Sequence, residues 1–393
     1  MEMNLLKGLS DSNFFFSLCP ISVFGGLNRD SQIVLAGRSH TCWVTALTLF
    51  YSQHCSMITS TKELAEHLGL SRWTVSRVLN GHPEVKEETR RRVLDTAREL
   101  GFSPNTLARG LRGGSTGLVG VCFQELESPA LAKKTAFLQR QLRTMGFQGM
   151  IELTDGDPKL EESVLRHFLS LKSDGIILVG STLHADNPTI QYLIKANVPT
   201  VLVDPIHDLP FPSIQLDRVG IMEKLVDHLW DRGHRQFALL GIESDPVLGQ
   251  LRIEGIRRGV EKHHARYSES VSSYTEEGFG LQDCGYGYSL AKTILDKGDK
   301  ATGWIAMNDR LAIGALTYLR ENKIRVPEDL SVVGFDNLDI SPWYDPPLTT
   351  VDHIIPKIFR EAVASLIQAI QKPSQTEPVK QWILPELIVR KSS

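Results

Sequence analysis

The chain has 393 residues, of which 41% are hydrophobic and 23% charged, with a formal net charge of −3. That length supports two or three compact units with their own cores, and the composition is that of an ordinary globular protein. The net charge alone argues neither for nor against nucleic acid. Its distribution says more: residues 57–112 hold ten Lys/Arg and seven Asp/Glu, whereas residues 113–393 hold 30 basic and 36 acidic groups. A basic head on an acidic body suits DNA contact through the head alone. The five cysteines (Cys19, Cys42, Cys55, Cys122, Cys284) show no CxxC spacing and no paired framework, so reduced thiols are expected.

Residues 1–56 mix Phe14 to Phe16, Gly25-Gly26 and an apolar run from Cys42 to Tyr51, without sustained periodicity. The run is too short to span a bilayer, and the apolar patch after Lys7 lacks a small-residue cleavage site. The expectation is that translation starts at Met57 and that this extension is not made, a regulatory arm being the alternative.

The stretch STKELAEHLGLSRWTVSRVLN, residues 60–80, reads as two short amphipathic helices around a glycine turn. Ser60 and Glu63 form an S-x-x-E capping box, and Leu64, Ala65 and Leu68 give one apolar face. Gly69 stops the first helix, and Ser71 can cap a second that carries Val75, Val78 and Leu79. This is a helix-turn-helix pattern, whose second helix enters the major groove. Val93, Ala97 and Leu100 give a third helix its core face, and Gly101 ends it.

From Gly117 apolar runs alternate with helical segments. Leu118–Phe123, Gly149–Leu153, Gly175–Val179 and Thr200–Val203 read as buried parallel strands, separated by helices near 131–145, 160–171 and 189–196. The pattern restarts after Asp217: a helix to Arg232, strand Phe237–Leu240, helix Val247–His263, helix Tyr288–Asp296, strand Trp304–Ala306, helix Leu311–Asn322 and strand Leu330–Gly334. Ile355–Ile370 reads as a further helix and Gln381–Arg390 as a final strand. The expected architecture is an all-α helix-turn-helix head plus an α/β two-lobed core of two doubly wound parallel sheets.

In order, TVSRVLNG, EETRRRV, LGFSPN and LARGLR resemble the head and hinge of the lactose/galactose-repressor family of bacterial transcriptional regulators. TDGDP at 154–158, SDGIIL at 173–178, RGHR at 232–235, Asn308-Asp309, RVPEDLSVVGFD at 325–336 and PPLTT at 346–350 are similar to that family's periplasmic-binding-protein-like core. The resemblance covers Met57 to Lys391. It implies a DNA-binding head over 57–104, a hinge helix and linker over 105–116, and an effector-binding and dimerisation core over 117–393. Lobe 1 would span about 117–216 and 352–378, and lobe 2 about 217–351 and 379–393.

By the family pattern, Arg72 and Trp73 hold the two positions that set sequence preference, with Ser76 and Arg77 one turn further along. An arginine such as Arg77 can make a bidentate contact to guanine, whereas Trp73 offers one N–H and an apolar face; its alternative is packing within the head. Ser71, Thr74, Asn80 and Thr89 are candidate phosphate contacts. Lys86 departs from the usual Ser or Thr and cannot cap the third helix as a hydroxyl would. In the hinge, Asn105 and Ala108 would approach DNA and Leu111 would wedge into the minor groove. Arg90, Arg91 and Arg92 read as a solvated face paired with Glu87 and Glu88 as readily as a DNA patch.

The resemblance also places a small polar, sugar-like ligand between the lobes. Asp204, Asn308, Asp336 and Arg252 are the main candidates, with Ser181, Gly180 and Gln282 behind them; Asp309 can equally be a helix cap. Residues 127–131, ESPAL, depart from the family's Asn-Pro-Phe-Phe, so the aromatic platform for a sugar ring is missing there. No cofactor and no metal are implied. The chain carries no phosphate loop ending in Lys-Ser/Thr, no HExxH and no GxSxG elbow, which argues against an enzyme. A solute-binding protein is the competing reading, and the head counts against it. The expected partners are a near-palindromic operator, the effector and a second copy of the chain in a homodimer, at the bacterial nucleoid in the cytoplasm and without a membrane.

Overall fold

The computed structural model describes residues 58–79, 82–102, 114–124, 130–243, 247–276, 283–372 and 378–393. The expectations for residues 1–56, Asn80, the hinge with Asn105, Ala108 and Leu111, residues 127–129 and Gln282 lie outside the described residues. The chain divides into two compact units, Met1–Ser103 and Pro104–Ser393.

In the first unit α1 (Thr61–Leu68), α2 (Arg72–Leu79) and α3 (Glu87–Glu99) form the head. Ser60 Oγ accepts the Glu63 N–H at 3.2 Å, and the Glu63 carboxylate accepts the Thr59 N–H at 2.8 Å, so the cap is reciprocal. Gly69 ends α1 in the left-handed region, at φ 64°, where a Cβ would be disfavoured. Ser71 Oγ accepts the Thr74 N–H and starts α2. Leu64, Ala65, Leu68, Val75, Val78, Val93 and Ala97 make the core, and Phe102 joins them from beyond Gly101. Arg92 donates to the Leu68 carbonyl, giving the end of α1 a partner. Lys86 precedes α3 without a side-chain cap, as its lack of an acceptor dictates.

The second unit holds two parallel sheets. In lobe 1, β1 (Leu118–Phe123), β2 (Gln148–Leu153), β3 (Gly175–Val179), β4 (Thr200–Val203), β5 (Ser213–Leu216) and β11 (Lys380–Ile383) lie in the order β11-β5-β4-β3-β1-β2. Alternate residues of each strand face opposite sides. Val119, Val121, Phe123, Ile177, Val201 and Val203 pack on α4 (Leu131–Thr144) and α12 (Ile355–Gln371). Cys122, Ile176, Leu178 and Leu202 pack on α5 (Pro158–Ser170) and α6 (Pro188–Lys195). Burial pushes the Cys122 thiol up to about 12, so it stays a neutral core group.

In lobe 2, β6 (Phe237–Leu240), β7 (Val271–Tyr274), β8 (Gly303–Ala306) and β9 (Ser331–Val333) are ordered β7-β6-β8-β9. Helices α7 (Arg218–Asp231) and α8 (Val247–Lys262) cover one face, and α10 (Cys284–Asp296) and α11 (Asp309–Glu321) the other; the short α9 (Tyr267–Ser270) leads into β7. Helices α10 and α11 touch backbone to backbone: a Cβ on Gly314 would meet the Cys284 carbonyl at 1.9 Å, and one on Gly287 the Leu311 carbonyl at 2.0 Å. Among the described residues no helix is long and apolar enough to cross a membrane.

One expectation is corrected. The segment 381–390 is not one strand, nor does it all belong to lobe 2. Lys380–Ile383 pairs in parallel with Ser213–Leu216 of lobe 1, and Ile383 is buried in that lobe's core. Leu384 and Pro385 then break the ladder, because proline has no N–H to give. After them β12 (Glu386–Ile388) pairs antiparallel with β10 (Thr350–Asp352), the Ser392 carbonyl accepts the Val332 N–H, and the Ser392 hydroxyl accepts the Thr349 N–H, both of lobe 2. The chain thus passes between lobes at Asp217, at His353-Ile354 and at Leu384-Pro385.

Candidate DNA-reading and effector sites

Helix α2 presents Arg72, Trp73 and Arg77 from a short, capped turn. Trp73 is 66% exposed, which excludes it from the head's core. The Arg77 guanidinium lies 4.5 Å over the Trp73 ring and also pairs with the carboxylate of Glu84, in the loop after α2. Arg72 and Ser71 are exposed, while Thr74, Ser76 and Thr89 are half-buried. The hydroxyls of Ser71 and Thr74 lie 2.8 Å apart, so each has an internal partner. Of the arginine triplet, Arg90 pairs with Glu87 and donates to the His82 carbonyl, Arg91 lies 3.9 Å from Asp95, and Arg92 serves α1. That favours the structural reading of the triplet over a DNA patch.

In the core, the C-terminal ends of the parallel strands face the gap between lobes, where such folds bind ligands. Asp204 follows β4 with φ 48° and accepts both Arg218 guanidinium N–H groups, at 2.9 and 3.1 Å, and the Leu216 N–H at 2.8 Å. Burial alone would push its carboxyl up; Arg218 outweighs that and holds it below the ordinary range. A cavity of about 260 Å³ opens beside this pair. Lobe 1 lines it with Asp204, His207, Gln215, Lys380 and Trp382, and lobe 2 with Val247, Leu248 and Leu251. Trp382 is 56% exposed, and Lys380 pairs with Asp208 at 2.7 Å. The His207 ring stacks on His184 at 3.6 Å, and burial with this neighbour holds its pKa down.

Arg252, Asn308 and Asp336 form a second group at the ends of β8 and β9. Arg252 donates to the Met307 carbonyl at 3.1 Å, and its guanidinium lies 4.4 Å over Phe335. Asn308 caps α11 through the Leu311 N–H. Asp336 has φ 116° and lies 3.2 Å from His353 Nε2. His353 stands on the crossing segment, edge-on to Phe335, and its field also reaches Asp204. Asp309 is fully buried and accepts from Leu338, Ser341 and Thr350, and burial pushes it up to about 6. It is a structural node as well as the first residue of α11.

Ser181 is buried with its hydroxyl on Glu161 at 2.5 Å, and it lines no part of the cavity. Gly180 takes φ 73° beside Gln124. The sequence reading missed Arg218, His353, His207, Lys380 and Trp382. Only Trp382 left a signal, as a tryptophan at a strand position alternating with buried Ile383.

A helix-turn-helix head with a two-lobed, cleft-bearing core defines a ligand-responsive DNA-binding regulator. Residues 60–105 match the model of bacterial regulatory proteins of the lacI family, and residues 226–393 that of a periplasmic binding protein-like domain. The chain is 30% identical over 338 residues to the HTH-type transcriptional repressor PurR of Mannheimia succiniciproducens, covering 84% of this chain and 97% of that one. It is also 30% identical over 333 residues to the HTH-type transcriptional regulator CelR of Thermobifida fusca, covering 82% and 95%. Among solved structures, a transcriptional regulator CelR–cellobiose complex matches with 28% identity and a TM-score of 0.61, over 85% of this chain and 99% of that one. The lac repressor dimer bound to operator and the anti-inducer ONPF matches with 25% identity and a TM-score of 0.72, over 85% and 98%. The protein belongs to the lacI family and is a DNA-binding transcriptional regulator.

Proposed function

We propose that this regulator is a cytoplasmic homodimeric repressor whose operator affinity is set by a small polar, sugar-sized ligand held between the lobes. The observation that carries the ligand half is the cavity lined from both lobes, because a ligand touching both stabilises one lobe arrangement over another. The solved complex of the related CelR with cellobiose supports a saccharide. Trp382, opposite Leu248 and Leu251, supplies an apolar wall, with Asp204, His207 and Lys380 as the polar groups. The lac repressor dimer on its operator supports two inverted half-sites.

In this reading Arg72, Trp73 and Arg77 read bases, Ser71, Thr74, Asn80, Lys86 and Thr89 hold phosphates, and Leu111 wedges into the minor groove with Asn105 and Ala108 beside it. Asp204, Arg252, Asn308 and Asp336 orient the ligand directly or through His353 and Arg218. No catalytic role is assigned to any residue. The test is selection of a preferred duplex from random DNA, followed by operator titration with and without a panel of sugars and nucleobases. A preferred inverted repeat whose affinity changes with one sugar is expected. No ligand in the panel altering operator affinity would remove the effector assignment, and an asymmetric site bound by a monomer would remove the dimer.

A further inference from the structure

We propose that Glu84 is a specificity-determining residue, holding Arg77 away from indiscriminate phosphate contacts so that only a correctly placed base displaces it. This deepens the DNA-reading role and rests on it. Arg77 is an arginine of α2 that can pair with guanine, and its guanidinium has two partners within the head: the Trp73 ring at 4.5 Å and the Glu84 carboxylate. The stack constrains the plane of the fork, and the carboxylate engages its Nη2 donor. The Arg77 side chain is 23% exposed, so it is partly withdrawn from solvent, whereas Glu84 is 71% exposed. Glu84 therefore stands at the surface as a negative charge paired with the reading helix.

Two consequences follow from the chemistry. A phosphate offers one diffuse charge and meets repulsion from Glu84, so it competes poorly for Arg77. Guanine O6 and N7 offer two directed acceptors matching the fork and carry no full charge, so they suffer less from the carboxylate. Glu84 thus weakens binding to random duplex more than binding to the selected site. It trades affinity for discrimination, as a repulsive element often does.

The experiment uses the full chain with Glu84→Gln and, as a control of the same charge change, Asp95→Asn. Asp95 pairs with Arg91 and Arg98 on α3, away from Arg77. Binding is measured to the duplex selected by the wild type and to a random duplex, across a salt series. Glu84→Gln is expected to tighten random binding about two- to fivefold, the scale of one exposed ion pair. The random-duplex salt slope should steepen by about 0.9, for one more neutralised phosphate. The ratio of specific to random affinity should fall, and Asp95→Asn should leave that ratio unchanged. An unchanged ratio in Glu84→Gln overturns the proposal, as does an equal effect from Asp95→Asn, which would make it a net-charge effect. Failure of the wild type to select any duplex would strike the DNA-reading role itself, and so is distinguishable from either result.

Discussion

Arg77 and Trp73 act as one stacked unit, so their removal should differ in kind from removal of a phosphate-binding residue. Arg77→Ala is expected to weaken the selected duplex by about 1–3 kcal/mol while changing random-duplex binding little, measured by titration at fixed salt. Asp309 offers a second test at this scale. Its folded pKa, about 6, lies above the ordinary carboxylate value of 3.8, so the folded state binds a proton more tightly than the unfolded chain. This group's contribution therefore favours folding at low pH and is lost as pH rises from about 4 through 6, by up to ~3 kcal/mol. Relative to Asp309→Asn, which does not titrate, the wild type should lose stability between pH 4.5 and 7 in urea unfolding. Residue types in motif positions were legible in the sequence: Asp204, Asn308 and Asp336 follow strands, Arg252 lies within α8, and of the four only Asp204 lines the cavity. Their partners were not legible, because Arg218 and His353 meet those aspartates only after separate lobes are assembled.

At the scale of elements, helix starts were legible wherever a side chain caps them. Ser60 and Asp217 hold N-terminal N–H groups as their sequence context suggests. The Asp157-Pro158 and Asn187-Pro188 pairs start α5 and α6 at the proline, two and one residues before the apolar spacing marks them. Short strands were harder: β5 and β7 have only four residues each and read SIQL and VSSY, with too few apolar positions in a row to mark a strand. Ser60→Ala is expected to lower the stability of the head by about 1 kcal/mol, read from its thermal melt. Gly314→Ala should cost more, on the order of 2–3 kcal/mol, since its methyl would press on the Cys284 carbonyl and only separation of α10 and α11 relieves it.

Across the second unit, the two lobes also touch through Lys133 of α4, whose ammonium lies 2.6 Å from Asp339 and 3.3 Å from the Asn337 carbonyl. Asn337 in turn binds Asp352 and Arg390 on the crossing strands. A surface pair of this kind contributes little to stability, yet it is made only when the lobes are near. Asp339→Lys should leave the melting temperature nearly unchanged while weakening effector binding about two- to fivefold by calorimetry, because the open arrangement gains population. The two doubly wound sheets were legible from the repeated alternation of strand and helix. The place where the chain leaves lobe 1 for the last time was not, because one proline, Pro385, rather than a change of composition, marks it.

The threefold passage between lobes has a consequence for synthesis on the ribosome. The head is contiguous and can close its small core as soon as Phe102 emerges. Lobe 1 cannot: its covering helix α12 and its edge strand β11 lie beyond residue 354, after nearly all of lobe 2. For most of the chain's elongation, the apolar face of Val119, Val121, Ile177 and Val201 stays without Phe359, Val363 and Leu366. A nascent regulator can therefore own a finished DNA-reading head long before it owns a lobe capable of answering to a ligand.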